Sequence, residues 1–452
     1  VSGKTVAVIG SGITGLATAF MLGRNGSCDI LLIERERPGG KILTLDFEGM
    51  PVEAGPDGIV IRGEEQFTLL RELNIEKEIM KPTGARGSIY ARGKLRPIPQ
   101  GLIMGFPKGS ITPLIKSGII SMPGLLRASL DIVLPRTKFE YDISAGELAA
   151  RRFGREFKET IVDTLLGGIM ASGSDRISTR EVLPNIYEAA LKHRSIIFGM
   201  RKAPSASQPQ SVVSFRGGLR TLSDALLKNS MNTEFIMDEV REIARNNGTF
   251  VVLGNERYSA DAVVVCTLAS SASSMLRSIS QEASDHLSKI NFTSVAVVLL
   301  SYDNGSLSIP PGCSGFLVSP REGLMMTACT FLTSKWPIDG KRTVVRCFVG
   351  RDNDTAWKKL RDEEIAERMH RELSSIIDVR EHFLDYRVIR WDDAFPQLNV
   401  GHADAVSGAR KNLPRGIFLA GSSYSGVGIA SCLAGASSAV RDVISFLGSS
   451  AQ

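Results

Sequence analysis

Apolar residues run along this chain in two rhythms. Thr5–Ile9 (TVAVI) and Ile30–Ile33 are short unbroken apolar runs, the pattern of strands covered on both faces. Leu16–Leu22 between them reads as a helix, with Asn25-Gly26 as its C-terminal stop. Strand-like runs return at Glu234–Ile236, Phe250–Leu253, Ala262–Thr267 and Gly416–Leu419. Between these pieces, residues 86–205 read as mainly helical, with apolar spacing of helical type in Ser144–Phe153, Phe157–Leu166 and Thr179–His193. Residues 275–385 instead carry alternating or apolar strands at Val295–Ser301, Phe316–Ser319, Met325–Thr330 and Val344–Val349.

The turn after the first strand gives this pattern a chemistry. Gly10-Ser11-Gly12-Ile13-Thr14-Gly15 follows it directly and opens the helix. In such a unit Gly10 permits the tight turn, Gly12 lets backbone approach a pyrophosphate, and Gly15 allows the helix to pack closely on the strand, so that the helix N-terminus faces an anion. Glu34 ends the second strand about 20 residues on, where a carboxylate accepts the hydroxyls of an unphosphorylated ribose, as in FAD or NAD. Gly39-Gly40-Lys41 and Val52-Glu53-Ala54-Gly55-Pro56-Asp57 follow. At the far end, Gly416–Gly421 reads as strand then turn, and Gly426-Val427-Gly428-Ile429-Ala430 leads into a helix of small residues. Two glycine clusters so far apart suggest one discontinuous flavin site.

The predicted fold class is therefore α/β: a discontinuous Rossmann-like FAD-binding domain (1–85, 206–274 and 386–452), an α+β, β-rich substrate domain (275–385) and a mainly helical lobe (86–205). A chain of 452 residues exceeds one core, in keeping with two or three substructures.

Composition narrows the chemistry. Hydrophobic residues make up 43% and charged residues 23%, values of a globular protein. A net charge of +6 suits an anionic substrate or an anionic membrane surface. No nucleic-acid recognition module or clustered basic tract is present, so no nucleic-acid partner is expected. The six cysteines are scattered without a CxxC pair, which points to unpaired thiols in a reducing cytoplasm. Five histidines without HExxH or Cys/His spacing predict no metal site. The first strand begins within a few residues, leaving no room for a signal peptide, and no stretch of about 20 apolar residues is expected to span a membrane. Gly101–Leu126 mixes apolar residues with lysines and prolines and could lie on a bilayer, line a pocket or form a helical core. The expected location is cytoplasmic, with peripheral membrane contact as a variant.

From Gly39-Gly40-Lys41, Gly55-Pro56 and the C-terminal glycines, the chain resembles the amine-oxidase-like flavoprotein superfamily, with Lys41 where Arg is commoner and Ser422 where many relatives carry Asp or Glu. Lys94-Leu95-Arg96-Pro97-Ile98-Pro99, Phe153-Gly154, Leu165–Ile169, His193-Arg194-Ser195, Phe215–Leu219, Cys329-Thr330 and Gly426–Ile429 occur in the order of porphyrinogen oxidases, and the chain looks most like their bacterial, Gram-positive type. The resemblance implies FAD held by Gly10, Gly12, Ile13, Thr14, Gly15, Glu34, Arg35, Gly40, Lys41, Gly55, Pro56, Asp57, Val240, Gly421, Ser422, Val427, Gly428 and Ile429. Val240 reads equally as a buried strand residue. It also implies oxidation of coproporphyrinogen III, protoporphyrinogen IX or both, in haem biosynthesis, with O2 as acceptor and H2O2 as by-product.

An apolar cleft with cations at its rim suits such a substrate. Arg62, Ile169, Phe316 and Met326 are the substrate candidates, with Leu166, Met170 and Phe331 as further lining and Arg86, Arg92, Lys94 and Arg96 as further cations. Hydride transfer to a flavin demands no dedicated catalytic base, and none is nominated. Other enzymes of the haem pathway are expected partners, and the oligomeric state stays open. Rival readings are a flavin amine oxidase, with Tyr424 as an aromatic wall, a carotenoid desaturase, and a non-catalytic binding protein such as the Rab GDP-dissociation inhibitors, which share the fold.

Overall fold

The structure, a computed structural model, describes residues 3–61, 63–139, 141–201, 211–246, 248–351 and 354–449. A parallel five-stranded sheet gathers strands from three distant parts of the chain, in the order Thr233–Met237, Asp29–Glu34, Thr5–Ile9, Ala262–Val265, Ile417–Leu419. Its strands are continuously apolar because both faces are covered. Val6, Val8, Ile30, Leu32 and Val264 point to one side, against the helices Ile13–Asn25 and Ile429–Ser449. Ala7, Ile9, Ile33, Val263 and Val265 point to the other, where a three-stranded antiparallel sheet and the helices Ala269–Leu276 and His402–Asn412 pack.

A second sheet has seven strands in the order Asp385–Pro396, Phe292–Asp303, Arg342–Val349, Met326–Phe331, Cys313–Val318, Arg86–Ala91, Lys94–Pro97. Only Cys313–Val318 and Arg86–Ala91 pair in parallel. Its two outer portions come from segments that the sequence reading assigns to the helical lobe (86–97) and to the nucleotide domain (from 386). Short flanking strands reveal their sheet only through their partners, because the pairing is non-local.

The lobe is helical, with a core of its own around Phe106, Leu148, Phe153, Phe157 and Leu166. Ser144 caps the helix Ala145–Phe153 by accepting from the Glu147 amide at 3.1 Å. The single helix expected over Thr179–His193 is two, Thr179–Val182 and Pro184–Lys192. Proline at 184 has no N–H for the first helix and drives Leu183 out of the helical region, to φ −131° and ψ 51°.

By length and composition the C-terminal helix Ile429–Ser449 could cross a membrane, which corrects the expectation that no such stretch exists. Its Leu433, Ala436, Val440, Val443 and Leu447 are buried against the parallel sheet and its partner helix, as in a core helix.

Candidate flavin site

The glycine fingerprint is built as its spacing requires. Gly10 turns the chain at φ +94°, a conformation that favours glycine, and its amide donates to the Ile33 carbonyl at 2.8 Å. A Cβ at Gly15 would lie 1.8 Å from the Gly10 carbonyl oxygen, so only glycine lets helix and turn approach this closely. Gly12 stands at the N-terminus of the helix, with no side-chain cap and nothing within 4 Å of an added Cβ. Open space beside uncapped amides suits a pyrophosphate. Ile13 is half-buried in the first turn, while Thr14 is buried.

Glu34 ends its strand beside this loop. One carboxylate oxygen accepts from the Ser11 amide at 2.7 Å and the Ser11 hydroxyl at 3.0 Å, and the other accepts from the amides of Arg35 and Glu36. Arg35 is exposed and pairs with Glu36 at 3.2 Å. Val240 lies in the connection between the strands Thr233–Met237 and Glu242–Asn246, half-buried, which corrects the reading of it as a buried strand residue.

Gly39 and Gly40 run against the fingerprint: the Gly39 amide donates to the Ser11 carbonyl at 2.9 Å, and a Cβ on Gly40 would stand 2.9 Å from the Gly12 Cα. Lys41 is tied within the chain. Its ammonium donates to the Asp393 carbonyl at 3.0 Å and to the Ala394 carbonyl, tying this segment to the seven-stranded sheet. Loss of water around it brings its pKa down to about 8.

The Gly55-Pro56-Asp57 segment is held from the same sheet, and from the short helix Leu332–Lys335, by residues the sequence reading did not single out. The Arg346 guanidinium donates to the Gly55 carbonyl at 2.7 Å and pairs with Asp57 at 2.9 Å, and Lys335 pairs with Asp57 at 2.7 Å. Trp391 donates its indole N–H to the Ala54 carbonyl at 2.7 Å. Burial alone would raise the Asp57 carboxyl, but Lys335 and Arg346 hold it below the usual range. Glu53 goes the other way: burial pushes it up to about 7, although it accepts from the Leu219 amide at 2.6 Å and from the Thr44 hydroxyl. Arg346 had one visible signal, a cation in the middle of an apolar strand (Arg342–Val349, RTVVRCFV).

The C-terminal cluster closes the site. Gly421 (φ +129°) leads into the short turn Ser422–Ser425, and Gly426 (φ +97°) and Gly428 (φ +105°) bracket Val427 before Ile429 starts the last helix. A Cβ on Gly421 would come 3.8 Å from the Thr14 hydroxyl, so the two glycine clusters meet in space. Ser422, Pro56 and Val427 are half-buried and Ile429 is buried, with Val427 packing against the helical lobe. Tyr424, the aromatic of the amine-oxidase reading, lies on the cavity that Glu181 and His402 also line. It is 6% exposed in the core behind the parallel sheet and donates its hydroxyl to the Thr267 carbonyl at 3.2 Å.

The substrate candidates divide. Ile169 is 50% exposed on the helix Asp163–Met170. Phe316 and Met326 are 2% and 0% exposed and point, with Phe331, into the core beneath the helix Asp362–Ser374, away from the face that carries Arg346. The reason is the two-residue period of a strand: the neighbours Leu317, Thr330 and Phe348 take the opposite face and are half-buried. That face meets the lobe, since a Cβ on Gly168 would lie 2.6 Å from a Leu317 methyl. Leu166 and Met170 belong to the lobe core. Arg62 lies outside the described residues. Arg86, Arg92 and Lys94 are exposed on the outer hairpin of the sheet, and Arg96 folds back to donate to the Ala91 carbonyl at 2.6 Å. Among the described residues no cluster of His, Cys, Asp and Glu could hold a metal ion.

The open uncapped helix end, the clearance at Gly12 and the acid at the second strand's end fit a dinucleotide. The family model described as flavin containing amine oxidoreductase matches residues 13–444. The chain is 32% identical to coproporphyrinogen III oxidase of Bacillus subtilis, with 98% of each covered. To coproporphyrinogen III oxidase of Staphylococcus aureus it is 29% identical, over 98% of this chain and 100% of that one. A crystal structure of a provisionally named protoporphyrinogen oxidase from Exiguobacterium superposes with a TM-score of 0.87 at 27% identity, over 98% of this chain and 99% of that one.

Proposed function

Because the chain belongs to the flavin containing amine oxidoreductase family, we propose that it is an FAD-dependent porphyrinogen oxidase of haem biosynthesis, with coproporphyrinogen III as its preferred substrate. The observation that carries this reading is the 32% identity to a coproporphyrinogen III oxidase over 98% of both chains, which takes in the lobe and the seven-stranded sheet as well as the nucleotide-binding sheet. The likeness to cyclohexylamine oxidase, at 13% identity and a TM-score of 0.70, speaks for the fold alone.

Bound FAD supplies a two-electron acceptor that O2 regenerates. The chain's own part is to bind, orient and keep water out. Gly12 would leave room for the pyrophosphate where Gly10, Gly15 and Gly40 let the surrounding backbone close up, and Glu34 would hold the ribose. Arg346 and Lys335 fix Gly55-Pro56-Asp57, and the N-terminus of the helix starting at Ile429 would stabilise negative charge on the flavin. Leu317, Thr330, Phe348, Ile169 and Val427 would supply apolar surface for a tetrapyrrole, and the hairpin cations Arg92 and Lys94 with the net charge of +6 would favour its carboxylates. Overall, one porphyrinogen and three O2 give one porphyrin and three H2O2, and the gain of aromaticity drives the sequence.

The test is the aerobic rise of porphyrin fluorescence with coproporphyrinogen III and protoporphyrinogen IX in parallel, against an enzyme-free control. Faster coproporphyrin formation is expected. A preference for protoporphyrinogen would reverse the substrate order, and no rise with either would overturn the reading.

One observation favours contact with a membrane surface as well. Met122 and Leu126, on the helix Met122–Ser129, are 65% and 67% exposed, and Leu130 and Val133 continue the patch at 43% and 57%, near Arg136 and Lys138. Exposed apolar residues flanked by cations suit an anionic bilayer. Co-sedimentation with phosphatidylglycerol vesicles, abolished by Met122→Glu with Leu126→Glu, is the expected result.

A further inference from the structure

His402 opens the helix His402–Asn412 and is 7% exposed. Its Nε2 lies 3.0 Å from the Ser423 carbonyl oxygen. A carbonyl oxygen carries only lone pairs, so Nε2 must hold the hydrogen, and Nδ1 can attract the Glu181 carboxylate only as the second N–H of the imidazolium, with the carboxylate as acceptor. Nδ1 has no hydrogen-bond partner and faces Glu181 Oε2 at 3.9 Å. Both side chains line a cavity of about 380 Å³, together with Arg410 and Lys411. The His402 ring beside it holds the Glu181 carboxyl below its ordinary value.

The two partners of this imidazole belong to different parts of the molecule. Glu181 sits on the short helix Thr179–Val182 of the lobe. The chain just before it is laced to the chain just before His402: the Ser178 amide donates to the Leu398 carbonyl at 2.8 Å, and the Val400 amide donates to the Arg176 carbonyl at 2.9 Å. Ser423 lies between Gly421 and Gly426-Val427-Gly428, and its hydroxyl accepts from the Ala269 amide at 3.3 Å. One buried ring thus bridges the lobe that bears Ile169 and the backbone turn of the C-terminal glycine cluster.

We propose that His402 is a positioning residue that passes the placement of the helical lobe, through Glu181, to the Gly421–Gly428 segment and so sets how tightly FAD is held. The inference rests on the flavin reading of that segment. With the carbonyl bond in place the turn presents its amides in one geometry. Without it, the Ser423 carbonyl is left unsatisfied and the turn is free to relax.

The test is titration of the deflavinated full-length chain with FAD, followed by quenching of flavin fluorescence, with thermal unfolding of each apoprotein alongside. His402→Ala is expected to raise the Kd about tenfold, and His402→Gln, whose amide N–H can reach Ser423, to recover to within about threefold of the parent. Glu181→Gln is expected to weaken binding about threefold in the parent and not at all in the His402→Ala background, the sign of a coupled pair. Unchanged Kd values, equal effects of Glu181→Gln in both backgrounds, or a fall in apoprotein stability with no change in Kd would each overturn the proposal. Failure of the parent to bind FAD would overturn the flavin reading and this inference together.

Discussion

The two faces of the seven-stranded sheet are built to different ends from the same strands. On one, Phe316, Met326, Phe331, Cys347 and Val349 are sealed under the helix Asp362–Ser374, a close-packed apolar layer. On the other, Arg346 holds a backbone carbonyl and a carboxylate, Trp391 holds a second carbonyl, and Leu317, Thr330 and Phe348 stay half-buried. A face whose task is adhesion can be uniformly apolar. A face that must fix another segment of chain needs directional donors, because a buried unpaired charge is far more costly than a missed packing contact.

That contrast can be broken at four points. The largest effect is expected from Phe316→Ala on the sealed face, which should lower stability by about 3–5 kcal/mol in urea unfolding while the Kd for FAD measured in native conditions stays put. A changed Kd with unchanged stability would mean that Phe316 belongs to the site after all. Arg346→Met should cost about 3 kcal/mol by leaving Asp57 and the Gly55 carbonyl without their partner, and unlike Phe316→Ala it should also weaken FAD binding. Equal FAD affinity in that variant would detach the guanidinium from the cofactor segment.

Glu53 gives the comparison a pH axis. Its folded pKa of about 7 lies above the ordinary 4.5, so its contribution is fully present below pH 4.5 and is lost as pH rises through about 7. The difference corresponds to about 3 kcal/mol, and Glu53→Gln should flatten the stability profile between those limits. Asp57, depressed by its two cations, acts in the opposite sense, its share being lost only as pH falls below the usual carboxylate range. A parent and variant with parallel profiles would remove Glu53 from the account. The smallest stability change belongs to Ile169→Ala, within about 0.5 kcal/mol because the side chain is half exposed, yet KM for the porphyrinogen should rise. No change in KM would move the cleft away from that helix.

Much of this architecture could be read in the residues alone. The glycines at 10, 12 and 15 and the acid at 34 sit in one local strand-turn-helix-strand unit, where spacing dictates geometry because the backbone itself leaves no alternative. Apolar strand runs likewise announced the parallel sheet, since strands covered on both faces need no decision about orientation. The break at Pro184 is local too, although the apolar spacing of Thr179–His193 reads as one helix.

Other features depended on contacts between residues far apart in the chain. Alternation in Cys313–Val318 and Met326–Phe331 says that two faces differ but not which one is sealed, and Phe316 and Met326, read as substrate candidates, lie on the sealed one. The carbonyls of Asp393 and Ala394 that hold Lys41 lie some 350 residues on, beyond the reach of any local pattern. Arg346, Lys335 and Trp391 acquire their meaning only when the Ala54–Asp57 segment is laid across the sheet. Local backbone geometry is written into neighbouring residues. The partner of a buried charge and the outward face of a strand are set by whichever distant segment packs there, and only the folded chain decides that.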